Sequence, residues 1–277
     1  MFISKKFVFM ELHKTGCTHI RHILNELIDG ELVGGHNQAG SNLFDEERVF
    51  LGSIRDPWDW YTSLWAYGCD NKGAVFNSST KARPIKFESL NWRKNTYSAF
   101  LTLISNRSKH PQQWLETYAD VNDAEAFRAW LRMMQSPRYI MDIREGYGEN
   151  SISRTAGLLT FRYLKLFCTK SGDSKRLNSL SSFKQIKDYE NEFCFIDRFI
   201  RNENLEHDLF QVLEDFSAGI SNEKKADILL REKRNTSSKK HGAEYYYDKK
   251  SERLVAKRER LIIEKFGYLM PSLRHIS

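Results

Sequence analysis

No apolar run in this chain of 277 residues approaches the length needed to cross a membrane. The early run Phe7–Met10 gives way at once to Glu11, His13 and Lys14, so it is also too short for a signal peptide. Cysteine is scarce. Cys17, Cys69, Cys168 and Cys194 are widely spread, form no C-x-x-C pair and have no histidine nearby at zinc spacing. They read as reduced thiols, which points to a cytoplasmic protein with no metal site. Composition excludes disorder: 40% of residues are hydrophobic and 13% aromatic, enough for a sizeable core in one domain, 1–277.

What the chain does have is positive charge. A net charge of +7 and a pI near 9.1 suit polyanionic partners such as nucleotides, nucleic acid or acidic glycans. The stretch Leu12–Leu24 shows where an anion would sit. Phe7-Val8-Phe9-Met10 predicts a short buried strand, and Ile20, Ile23, Leu24, Leu27 and Ile28 predict a helix that stops at Gly30. Between them lie Lys14, Thr15, Gly16, Cys17 and Thr18. A strand, a tight turn and a helix start expose unpaired N–H groups at the positive end of the helix dipole, and Lys14 adds a point charge. An ordinary turn with solvated or capping side chains is the alternative. It is not a Walker A turn, because the lysine precedes the only glycine.

A second unit follows a glycine-rich stretch, 30–45, which contains His36 and reads as loop. Val49–Ile54 predicts another buried strand. Arg55 ends it, Asp56 is a helix N-cap, Pro57 fits the first helical position and Asp59 the first turn. In the helix that follows, Trp58, Tyr61, Leu64 and Trp65 form an apolar stripe, and Ser63 lies two turns along. Arg55 can grip a phosphate with two parallel N–H bonds, or can pair instead with Asp56 or Asp59. Two strand–helix junctions that each carry a cation predict an α/β fold, with a short parallel sheet flanked by helices and ligand at the strands' carboxyl ends.

The remaining chain is less explicit. Residues 67–95 form a long polar stretch with interleaved aromatics, either a recognition loop or a surface excursion. Helical pattern returns at Tyr97–Ile104, at Asp123–Met134 and over Ile152–Phe167. Phe193–Ile196 predicts a third strand, and Leu209, Val212, Leu213 and Phe216 a helix after it. Residues Asn235–His241 are a basic stretch, and Leu254, Leu261, Ile262 and Phe266 mark one final amphipathic helix.

The turn His13-Lys14-Thr15-Gly16-Cys17-Thr18 resembles the 5′-phosphosulfate loop of sulfotransferases that use 3′-phosphoadenosine 5′-phosphosulfate, commonly P-K-T-G-G-T. Here His13 replaces the proline and Cys17 the second small residue. Arg55 and Ser63 are similar to that family's 3′-phosphate motif, Arg201–Asp208 to its R-x-E-N-L-x-x-D phrase, and Asn235–Lys239 with the closing Phe266-Gly267-Tyr268 to its tail. The resemblance implies a P-loop nucleotide-kinase-like fold, with acceptor recognition in an insertion at about 66–150. It implies transfer of a sulfuryl group to an acceptor hydroxyl, or less readily an amine, with a carbohydrate as the acceptor class and no nucleic acid. The family's residues carry over to Lys14, Thr15, Gly16, Cys17, Thr18, Arg55 and Ser63, and in the tail to Thr236, Ser237, Lys239 and Lys240, with Lys14 stabilising the leaving charge. His36 is the expected general base, with Glu11, Glu31 and His13 as competitors. An ATP-using kinase should show the missing Walker A turn. A non-catalytic binder of acidic glycan or nucleic acid gives no reason for cations at both junctions.

Overall fold

The computed structural model describes residues 1–45, 47–82, 96, 99, 100, 102, 103, 106, 107, 109–216, 221–230 and 241–274. A five-stranded mixed sheet is flanked by helices. Strands β1 (Phe2–Ser4), β2 (Phe7–Met10), β3 (Gly30–Leu32), β4 (Val49–Ile54) and β5 (Arg198–Arg201) lie in the order β3-β1-β2-β4-β5. The parallel part is β2, β4 and β5, with Met10 opposite Gly52 and Ile54 opposite Arg201. The purely parallel sheet expected is therefore extended by an antiparallel hairpin partner, β1, and the edge strand β3.

The helices that position the candidate site are α1 (Cys17–Leu27), α2 (Pro57–Cys69), α3 (Ala124–Met134), α4 (Leu158–Phe167), α5 (Phe183–Phe193), α6 (Leu205–Asp215), α7 (Lys249–Arg258) and α8 (Arg260–Phe266). Side chains alternate along each strand and feed two cores. Phe7 and Phe9 of β2 pack with Leu51, Ile200 and the inner faces of α1 and α6. Val8 and Met10 point the other way, into a larger core with Trp58, Trp65, Trp130 and Phe167. Because both faces are covered, β2 is wholly buried and apolar and β4 is buried from Phe50 onward, as parallel strands between helix layers are.

Helix α2 begins as its sequence dictates: the Asp56 carboxylate accepts from the N–H groups of Trp58 and Asp59, and Pro57 is its first residue. It shows no single apolar stripe. Trp58, Trp60, Tyr61, Thr62 and Ser63 are all buried, so this helix runs through the core. The region 66–150 joins that core through Trp114, Phe127 and Trp130. Residues 83–95 lie outside the described part, as does half of Tyr97–Ile104.

Four expectations are corrected. The third parallel strand is Arg198–Arg201, not Phe193–Ile196; Phe193 ends α5, and Phe195 packs edge-on against Phe44 and Phe50. Residues 30–45 are not all loop, since backbone pairing with β1 makes an exposed strand of Gly30–Leu32 and Ser41–Phe44 form a 3-10 turn. The helix expected over Ile152–Phe167 breaks at Gly157, where a Cβ would meet Tyr61 Oη at 2.6 Å and collide with the Glu259 carboxylate. The closing helix is two helices, α7 and α8, divided at Glu259. That residue is fully buried, accepting from Tyr61 Oη at 2.5 Å and from the Thr160 N–H and hydroxyl at 2.8 and 2.6 Å.

Candidate functional site

The carboxyl ends of β2, β4 and β5 carry the turns 11–16, 55–56 and 202–204 side by side. The first turn is tightly specified. Gly16 caps α1 at φ 81°, and a Cβ there would lie 2.7 Å from Asn202 Nδ2, so only glycine fits between α1 and the end of β5. Thr15 is fully buried; its hydroxyl donates to the Leu12 carbonyl at 2.7 Å and meets Ser53 Oγ at 2.6 Å. That hydroxyl latches two strand ends together and is spent on structure. Cys17 is buried too, its thiol pushed up to about 11, first by burial and then by Glu11. Thr18 stays half-buried in the first turn of α1.

Lys14 adopts φ 63°, and its ammonium sits over the Tyr67 ring, 4.0 Å from the centroid. Its carbonyl oxygen accepts from Arg55 Nη1 at 3.3 Å, which joins the two cationic junctions directly. Burial, and next the neighbouring Arg55, pull the Lys14 ammonium down to about 8. Arg55 Nε is buried with no hydrogen-bond partner. The anticipated alternative, a pair between Arg55 and Asp56 or Asp59, is not formed: Arg274 takes Asp56 at 2.7 Å and Asp59 at 3.0 Å. Glu203, the other acid near Arg55, accepts from the Asp56 N–H at 2.7 Å. Ser63 lies buried on α2, two turns after Arg55.

His36 reaches the same place from the loop after β3. Its ring stacks on His13 with centroids 3.7 Å apart and planes 15° from parallel. Its Nδ1 lies 3.1 Å from the Glu11 carbonyl oxygen. A carbonyl can only accept, so Nδ1 carries the proton and Nε2 keeps a lone pair. Burial is the chief cause that holds both imidazoles below the usual histidine range, aided by Arg162. His13 itself is pinned, its carbonyl oxygen accepting from Trp60 Nε1 at 2.6 Å.

The chain matches no protein-family model, no curated protein and no solved structure.

Of the competing bases, Glu11 is buried against the Met1 ammonium at 2.5 Å and lies 3.6 Å from Arg21. Glu31 is exposed on β3, two strands away from β2. Glu11, Cys17 and His36 bring one donor atom each within 4.8 Å of one another, but the carboxylate is already neutralised by an ammonium and the thiol is held protonated. Thr236, Ser237, Lys239 and Lys240 lie outside the described residues.

Two contributors carried no sequence signal. Arg162, fully buried on α4, makes paired bonds to Glu145 at 2.9 and 2.7 Å beside the histidine stack. Among the described residues, four non-glycine residues have positive φ, and three of them, Lys14, His36 and Glu145, belong to this site. Left-handed backbone costs about 1–3 kcal/mol per residue and clusters where the surrounding fold enforces a functional geometry.

Proposed function

We propose that this protein is a sulfotransferase that moves a sulfuryl group from 3′-phosphoadenosine 5′-phosphosulfate to the hydroxyl of a saccharide or glycoconjugate. The observation that carries the reading is the Lys14–Arg55 junction. Two cations meet at adjacent parallel strand ends, and the buried Arg55 Nε has no partner while Arg274 occupies Asp56 and Asp59. Such a guanidinium edge rewards an anion with a charge-assisted bond.

In this reading Lys14 and the N–H groups opening α1 receive the 5′-phosphosulfate, and Arg55 with Ser63 receives the 3′-phosphate. The acceptor oxygen attacks sulfur in line, the S–O bond to the phosphate breaks, and the negative charge grows on the departing phosphate oxygen, where Lys14 answers it. His36 Nε2, the lone-pair nitrogen, takes the hydroxyl proton. Titration calorimetry with 3′,5′-adenosine bisphosphate, AMP and ATP tests the reading. Tightest binding of the bisphosphate is expected; equal affinity for AMP, or preference for ATP, overturns it.

A further inference from the structure

Cys168 and Cys194 stand far apart in the sequence and share no motif, yet the fold brings their sulfurs, with a carboxylate oxygen of Glu190, within 4.8 Å of one another. Each cysteine follows the last turn of a helix: the Cys168 N–H donates to Leu164 at the end of α4, and the Cys194 N–H to Glu190 at the end of α5. The Phe195 N–H donates to the Phe167 carbonyl at 3.1 Å, so the backbones beside the two cysteines are hydrogen-bonded to each other. From α5, Tyr189 Oη donates to the Cys168 carbonyl at 3.0 Å. This bracket holds the two chain segments side by side, with the sulfurs within 4.8 Å of each other, near enough for a modest side-chain rotation to bring them together.

The two thiols are not equivalent. Cys168 is buried, and its thiol is pushed well above the usual range, chiefly by that burial. Cys194 is half-buried and held down at about 7, first by its hydrogen bond from Cys168 and further by the Lys265 ammonium. Tyr163 Oη lies 3.4 Å from Cys194 Sγ and donates to Glu190 at 2.8 Å, while the Lys265 ammonium pairs with Glu190. A half-buried thiolate beside a cation, with a second thiol behind it, has the form of an attacking cysteine and its resolving partner.

We propose that Cys194 and Cys168 form a reversible dithiol–disulfide centre that exchanges with low-molecular-weight disulfides such as glutathione disulfide. The Cys194 thiolate attacks one sulfur of the small disulfide and expels a thiolate, leaving a mixed disulfide. Cys168 then gives up its proton to the expelled thiolate, and its sulfur attacks Cys194 Sγ, releasing the second small thiolate, which takes up from water the proton that Cys194 had lost on ionising. The protein loses two electrons and two protons, and the small disulfide becomes two thiols. The new bond ties the end of α4 to the end of α5, which leads directly into β5.

The test equilibrates the full chain in glutathione buffers of increasing oxidising strength, quenches by alkylation and maps peptides without reduction. One cross-linked peptide containing Cys168 and Cys194 is expected, with loss of two of the four thiols and full reversal by dithiothreitol. Cys194→Ser should abolish the cross-link, and Cys168→Ala should trap glutathione on Cys194. Native protein that retains both thiols, or that stops with glutathione on Cys194 and Cys168 still alkylatable, overturns the proposal. So does a bound zinc ion that protects both thiols until it is chelated.

Discussion

His36 lies face to face with His13, ring centroids 3.7 Å apart, and its Nδ1 bond to the Glu11 carbonyl fixes which nitrogen of His36 is free. With Nδ1 committed to the Glu11 carbonyl, only Nε2 can accept a proton. His36→Ala should lower kcat by roughly a hundred- to ten-thousandfold and leave affinity for 3′,5′-adenosine bisphosphate unchanged. Because burial lowers the His36 pKa, the ascending limb of the native pH–rate profile should fall below the ordinary histidine value near 6.5. A mutant that keeps that limb would return the role to His13.

The same burial makes a stability prediction. Both imidazoles bind a proton less readily folded than unfolded, so between their lowered pKa values and about 6.5 the unfolded chain holds more protons. The histidine contribution to stability therefore falls as pH drops from 7 toward 5. It is opposed by Asp56, whose buried carboxyl is pushed up to about 6 and favours the folded state as it gains its proton. Melting temperature measured across that range should decline, and His13→Gln should flatten the slope. An unchanged slope would mean that His13 is protonated in the folded protein.

These relationships were only partly legible in the sequence. Strands Phe7–Met10 and Val49–Ile54, the Asp56 cap with Pro57, and the helix after Asp123 all follow from local apolar runs and capping chemistry. Position in the sheet is a different matter. β5 lies past the apolar run Phe193–Ile196 because pairing begins only after the Asp197 N–H reaches the Phe50 carbonyl, at 2.8 Å. The site divides in the same way. Lys14, Gly16 and Arg55 are visible as residues at strand–helix junctions, whereas Arg274 on Asp56, Arg162 beside the histidines and the left-handed backbone at Glu145 arise from contacts between distant segments.

Arg274 supplies a test of the anion site that no ligand contact explains. It pairs with Asp56 and Asp59, whose charges also act on Arg55, so Arg274→Ala should let those carboxylates compete for the guanidinium. Affinity for the bisphosphate should then weaken by about 1 kcal/mol although Arg274 is not one of the proposed ligand contacts. Arg55→Ala should weaken it more, on the order of 2 kcal/mol, with AMP binding unaffected. If Arg55→Ala weakens AMP equally, the arginine does not read a 3′-phosphate.

Glu259 predicts a purely structural effect. Its buried carboxylate accepts from Tyr61 and twice from Thr160, at the break between α7 and α8. Glu259→Ala leaves those donors unpaired in the core, which should destabilise the fold by about 3 kcal/mol in denaturant titration. A loss under 1 kcal/mol would mean that the three donors find other partners.

The last prediction follows the Lys14 proton. With a pKa of about 8, the free ammonium is about half charged at pH 8. A bound phosphosulfate or phosphate favours the charged form, so ligand binding at that pH should take up roughly half a proton at Lys14. Calorimetry of the bisphosphate in buffers of different ionisation enthalpy measures this directly. The uptake should vanish in Lys14→Ala and shrink toward pH 6.5, where the lysine is already charged. Turnover supplies the second readout. Removing a preorganised donor that answers transition-state charge typically lowers kcat about a hundredfold or more, so Lys14→Ala should affect kcat far more than bisphosphate affinity. If only the donor's KM rose, Lys14 would hold the ground state alone and the leaving charge would fall to the α1 amides.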